Sequence, residues 1–257
     1  MNRKTSFDFV AIGKCGDLSQ LAGRANTILV ISPHPDDDVI GMGGAMRLLA
    51  GNDKKVFSVY VTDGRSAAGT NKSIASVRRS EALAALKTVR ASGAFFLSHA
   101  SRELAGIAAA KVVRQLRKII TLLKPVEIYM PSPFERHPTH RLVTRITLRA
   151  LTNTAHAPRA WGYSVWGEVY GLSGAKVVDI SKAVRAKRKA IRQHASQTGG
   201  KPYDTGILGR NAYEGIFVET HAPRYMAWAE TFIDMADLKK WRGTDILVQA
   251  ITSRHCS

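Results

Sequence analysis

The chain has 257 residues, 45% of them hydrophobic and 23% charged, the ordinary make-up of a globular domain with a sizeable core. No apolar run approaches the roughly 18 residues of a membrane-spanning helix, and the two cysteines, Cys15 and Cys256, suit neither a disulfide framework nor a thiolate metal site. A formal net charge of +18 points to solubility or to an anionic substrate or surface, but the basic residues are dispersed and no named nucleic-acid motif accompanies them, so no specific nucleic-acid partner is expected.

The first twenty residues hold only a brief apolar stretch, broken by Asp8, Gly13 and Lys14. That is not a signal-peptide pattern, and a cytoplasmic location is expected. After an N-terminal extension over about residues 1–25, Thr27–Ser32 reads as a strand and Val39–Ala50 as a helix. The alternation continues through strand Lys55–Thr62, helix Ser73–Val89, strand Ala94–Ser98, helix Leu104–Leu123, strand Val126–Pro131 and helix Leu142–Leu151. Each strand is rich in Val, Ile, Phe or Tyr. Regular alternation implies crossover units, and hence an α/β fold with a mainly parallel sheet and helices on both faces. Beyond Trp161 the pattern loosens. Tyr163–Tyr170 and Lys176–Ile180 read as strands, Ser181–Ala195 as a basic helix, and "TGGKPYDTG" at 198–206 as a mobile loop. With no repeat or linker in view, residues 1–257 read as a single domain.

Two polar clusters sit where such a fold gathers its ligands, beyond the carboxyl ends of parallel strands. "SPHPDDD" follows the first strand, and "SPFERHPTH" follows Val126–Pro131. Adjacent carboxylates repel, so the run Asp36-Asp37-Asp38 calls for positive charge among them. One histidine and two or three aspartates from the first loop, with two histidines from the second, are the inventory of a mononuclear metal site. Zinc suits imidazole and carboxylate donors with one position left open. One ligand each can come from His34, Asp37 and His140. Asp36 can then act as general base, and His137 can stabilise an oxyanion or protonate a leaving amine. Asp38, at a helix start, reads more simply as an N-terminal cap.

These residues resemble a known family. "PHPDDD" is similar to the His-Pro-Asp-Asp-Glu signature of the LmbE-like, or PIG-L-like, zinc-dependent N-acetylglucosaminyl deacetylases, and "HPTH" to its His-Pro-Asp-His. "VTDG" at 61–64, "RRSEALAAL" at 78–86 and "KRKAIRQHASQ" at 187–197 follow in the family's order. The resemblance spans about residues 27–197. It implies a Rossmann-like fold, one Zn²⁺ per chain on His34, Asp37 and His140, Asp36 as base and His137 as its catalytic companion. It also implies a substrate contact for Arg78, the arginine of an Arg-x-x-Glu helix. His194, in "HASQ", is a further candidate for substrate contact. The implied reaction is removal of an acetyl group from an N-acetylglucosamine-type amino sugar, carried by a small molecule or glycoconjugate; a homo-oligomer is allowed.

Three positions depart from the family pattern. Asp38 stands for Glu, Thr139 stands for an Asp beside His137, and "FLSHASREL" offers His99 and Glu103 where many relatives carry Asp. None removes an expected ligand or the base. Two other functions fit the same residues less fully: an amidase acting on some other N-acylated small molecule, and a non-catalytic basic binding module. The second has no use for a carboxylate base beside a metal.

Overall fold

A computed structural model describes residues 7–13, 26–65, 72–104, 107–152, 154–167, 175–217 and 226–236. Cys15 and Cys256 lie outside them. The central strands are β2 (Thr27–Ser32), β3 (Lys55–Thr62), β4 (Gly93–His99), β5 (Glu127–Pro131) and β6 (Arg159–Tyr163). They run parallel in the order β4-β3-β2-β5-β6. β2 and β3 carry the expected bounds. Both are apolar and buried almost end to end, which a strand covered on both faces requires.

Successive side chains part to opposite faces. Ile28, Val30, Val56 and Tyr60 enter one apolar cluster, with α1 (Asp37–Gly51), α2 (Lys72–Val89) and α5 (Val184–Arg192). Leu29, Ile31, Phe57 and Val59 enter the other, with α3 (Ile107–Leu123) and α4 (Pro138–Leu151). In α3, Val112, Leu116, Ile119, Ile120 and Leu123 form the buried stripe, while Lys111, Arg114 and Lys118 are exposed, the helical period of an amphipathic segment.

Several expectations shift at the edges. Part of the presumed N-terminal extension is β1 (Asp8–Ala11), which pairs antiparallel with β4 and is fixed by an Asp8–Arg79 ion pair. The expected strand Tyr163–Tyr170 is misplaced: β6 ends at Tyr163 and residues 164–167 are outside any strand, while 168–170 lie outside the described residues. The expected loop at 198–206 shrinks as well. It is bounded by α6 (Ala195–Thr198) and by α7 (Tyr203–Phe217), whose first four residues it was taken to include. β8 (Ala229–Asp234) joins β6 to β7 (Lys176–Asp179), antiparallel to both.

Helix α1 is broken at Met42 (φ −144°, ψ 25°), freeing the N–H groups of Gly44 and Ala45. The buried Glu230 carboxylate accepts both, at 2.9 and 2.7 Å, and Lys187 of α5 donates to it at 2.7 Å with neither side chain exposed. A charge buried this deeply is tolerated because it is paired and fully hydrogen-bonded.

From β2 the chain steps outward to β3 and β4, then returns to the other side of β2 as β5 and moves on to β6. The strand order therefore reverses between β2 and β5, and the crevice beyond their carboxyl ends is where open α/β sheets bind ligands.

A candidate metal centre at the sheet's switch point

The loop after β2 and the loop after β5 meet in that crevice. His34 Nδ1 lies 2.9 Å from Asp37 Oδ2, His140 Nε2 lies 3.1 Å from the same oxygen, and the two imidazole nitrogens are 3.3 Å apart. Tetrahedral coordination with zinc–ligand bonds of about 2.0–2.1 Å separates donor atoms by about 3.3 Å. The three atoms thus already stand at the spacing such an ion imposes, and the donor set fits it. His137 adds a third imidazole: donor atoms of His34, His137 and His140 all lie within 4.8 Å of one another. Its ring centroid stands 5.2 Å from His34 and 4.9 Å from His140.

Three adjacent carboxylates coexist because each has a different partner, and because all lie at the positive end of α1. Asp36 Oδ1 accepts from Arg78 Nη2 at 3.0 Å. Asp37 takes the two histidines: burial pushes its carboxyl up, and His140 and His34 more than reverse this, holding it well below the usual carboxylate range. Asp38 is fully buried and accepts from Ser58 Oγ at 2.6 Å and Tyr60 OH at 2.7 Å. Burial raises it to about 6 against the pull of those hydroxyls. Asp38 bonds the Val39 N–H but does not act as the helix cap; the capping position is Asp36, without a side-chain cap bond. Its shorter side chain reaches β3 and ties the start of α1 to the sheet.

His140 has no exposed surface, and its Nδ1 meets Glu135 Oε2 at 2.9 Å. Burial lowers its pKa, but Asp37 and Glu135 override that and lift it to about 10. Glu135 also accepts from three consecutive N–H groups: Val165 at 2.7 Å, Trp166 at 3.0 Å and Gly167 at 3.2 Å. Glu135 lies within the "SPFERHPTH" loop, but its bond to His140 and its clamp on a loop thirty residues away come from the fold.

His137 caps α4. Its Nδ1 accepts the Thr139 backbone N–H at 3.2 Å, so the neutral ring carries its proton on Nε2. Burial, then the like charges of His140 and His34, lower its pKa. Thr139 meets His137 through its main chain, which any residue at this position supplies. His99 turns away to Gln115, with 2.7 Å between Nε2 and Oε1.

Arg78 lies along the cleft with 7% of its surface exposed. Besides Asp36 it donates to the Gly64 carbonyl at 2.8 Å. Gly64 has φ +73°, and a Cβ there would come within 2.5 Å of the guanidinium. The glycine of "VTDG" is thus the seat of the arginine. Glu81, one helical turn from Arg78, accepts from Ser196 N and Oγ at 2.7 and 2.6 Å. His194 is 1% exposed, and among the described residues neither ring nitrogen has a hydrogen-bond partner. It lines the same cleft, of about 720 Å³, with Trp166 and Tyr203. All seven site residues expected from the sequence, His34, Asp36, Asp37, Arg78, His137, His140 and His194, border this one cavity.

Residues 29–151 match the PIG-L family, described as GlcNAc-PI de-N-acetylase. The chain is 28% identical over 198 residues to a diacetylchitobiose deacetylase of Thermococcus kodakarensis, covering 66% of this chain and 69% of the relative. The structure of an N,N'-diacetylchitobiose deacetylase from Pyrococcus horikoshii superposes with a TM-score of 0.69 at 23% identity, over 89% of this chain and 90% of the other. The 4-carboxy-2-hydroxymuconate hydratase GalB of Pseudomonas putida superposes nearly as well, with a TM-score of 0.66 at 20% identity over 82% of this chain and 96% of the other. A likeness at that level concerns the fold and leaves the reaction to the site. The motifs and the switch-point cleft agree with the match of residues 29–151 to the PIG-L (LmbE-like) family.

Proposed function

We propose that the chain is a zinc-dependent hydrolase that removes the acetyl group from an N-acetylglucosamine-type amino sugar, with His34, Asp37 and His140 as the metal ligands. The observation that carries this is the triangle of His34 Nδ1, Asp37 Oδ2 and His140 Nε2 with edges of 2.9–3.3 Å. The family match and the Thermococcus relative support the amino-sugar substrate. A zinc ion held there would polarise the acetamide carbonyl and make a water molecule more acidic.

The chain's own residues perform the rest. Asp36, oriented by Arg78, accepts the proton of the water that attacks the carbonyl carbon. His137 donates its Nε2–H to the oxyanion that develops on the former carbonyl oxygen. The carbon–nitrogen bond then breaks, and the nitrogen takes the proton held on Asp36, giving acetate and a free amine. His194 offers its unpartnered nitrogens to a substrate hydroxyl, because a buried polar atom without a partner in the protein is completed by water or ligand.

The test is acetate release from a panel of N-acetylglucosaminides and of N-acyl amines without a sugar. Turnover of the sugars by the zinc-loaded chain, lost in Asp36→Asn, supports the reading. Turnover confined to the non-sugar amides would move the substrate to another N-acylated small molecule, and absence of release from every compound would overturn the hydrolase.

A further inference from the structure

Trp166 has no part in that chemistry, yet it stands 54% exposed on the cleft wall. Its main chain is tightly fixed. The N–H donates to Glu135 Oε2 at 3.0 Å, and the flanking N–H groups of Val165 and Gly167 are held by Oε1 of the same carboxylate. Gly167 lies so close to the Phe134 carbonyl that a Cβ there would come within 2.8 Å. The backbone beneath the indole is therefore set before any ligand arrives. Tyr203 meets the indole in a T-shaped contact, with centroids 6.1 Å apart and planes at 79°. Such a contact covers at most one face of the ring.

An aromatic face left in water forgoes the free energy of burial. Here it lies in a cleft whose other walls include Asp36, Asp37, Arg78, His137 and His194, so the matching ligand has a flat apolar side and polar edges. A pyranose is built that way, with C–H groups on its face and hydroxyls around its rim. Its C–H groups carry partial positive charge and meet the negative face of the indole favourably. The carboxylate that holds the Trp166 main chain also holds His140, through bonds of 3.0 and 2.9 Å to one oxygen, Oε2. The platform and the metal triangle are thereby set at a fixed relation, and one ligand can lie on the first while its acetamido group reaches the second.

We propose that Trp166 is the stacking platform for the pyranose ring of the substrate, and that it determines the preference for cyclic sugars over other acetamides. This rests on the amino-sugar reading above. The experiment uses the zinc-loaded full chain, with N,N'-diacetylchitobiose as probe and N-acetylethanolamine as an acyclic control. Calorimetric binding and acetate release are measured for wild type, Trp166→Ala and Trp166→Phe. Trp166→Ala is expected to raise the Kd and KM for the disaccharide on the order of tenfold. Its kcat should stay within about threefold, its zinc content and action on the acyclic amide should be unchanged, and Trp166→Phe should recover much of the affinity. If wild type binds the disaccharide without releasing acetate while Trp166→Ala loses that binding, the deacetylase reading fails and the platform stands. Equal disaccharide affinity in wild type and Trp166→Ala, or no binding of the disaccharide by wild type, would overturn the platform.

Discussion

Arg78 reaches across from α2 to Asp36, its Nη2 3.0 Å from Oδ1, while its Nη1 donates to the Gly64 carbonyl at 2.8 Å. A carboxylate fixed in this way presents its other oxygen in one direction, which a general base needs and a flexible surface aspartate does not provide. In the proposed mechanism Arg78 acts through Asp36, as a positioning residue. Arg78→Gln should lower kcat by about 10–100-fold with zinc content unchanged, and Arg78→Lys should recover only part of the loss, since an ammonium cannot reproduce the two-pronged contact. A rise in KM with kcat unchanged would mean instead that Arg78 chiefly binds substrate.

The neighbouring aspartates should separate cleanly. Asp37→Ala and His34→Ala should lose metal and activity together. Asp36→Asn should keep the metal and lose about 10²–10⁴-fold in kcat. His137→Ala should keep the metal too and lose about 10²–10³-fold, the range for one oxyanion donor. Metal analysis of the four purified variants beside their kinetics is the measurement. Metal lost from His137→Ala and kept in Asp37→Ala would assign the ion to the three imidazoles.

Glu135 is the residue on which the centre and its surroundings both depend. Replacing it by Gln removes the charge that holds His140 Nδ1 and loosens the 165–167 main chain. Zinc affinity should fall by about 10–100-fold, read by competition with a chelator of known affinity, and the indole fluorescence of the metal-free variant should shift from that of wild type. Unchanged zinc affinity would show that the His140–Glu135 bond does not tune the ligand.

Glu135 also marks where reading the sequence stops. Strands β2 and β3 were legible to the residue because both faces are covered and their runs are continuously apolar. That the two His/Asp loops border one cavity was legible because His34 and His140 follow strands whose carboxyl ends share one crevice. Nothing local announces that Glu135 will cross to residues 165–167, or that Asp38 will be buried against Ser58 and Tyr60, since both depend on pairings between distant strands and loops. α7 was missed for the opposite reason: "GGKPYDTG" carries turn residues, and only packing against α5 and β8 makes its continuation a helix. The sequence alone did not fix the direction of Arg78, since Glu81 sits one helical turn away, and the structure gives Glu81 to Ser196 instead.

Away from the cleft, the pair of Lys187 and Glu230 should behave as a buried charge clamp on the break in α1. Lys187→Met leaves the carboxylate without its cation and should cost about 3–5 kcal/mol in unfolding free energy, measured by chemical denaturation. Lys187→Met combined with Glu230→Gln should recover part of that loss, because no uncompensated charge remains. A loss in the double variant equal to the sum of the two single losses would show that the pair does not act as a unit.

In the proposed reaction one metal ion, held by His34, Asp37 and His140, drives hydrolysis of an N-acetylated amino sugar. Its most direct test is acetate release from an N-acetylglucosaminide before chelation, after chelation, and after zinc is returned in steps. Release should stop when the metal is stripped and return in proportion to zinc, with a plateau near one equivalent per chain. Release that persists in the metal-free chain, or none from the chain at one equivalent of bound zinc, would contradict it.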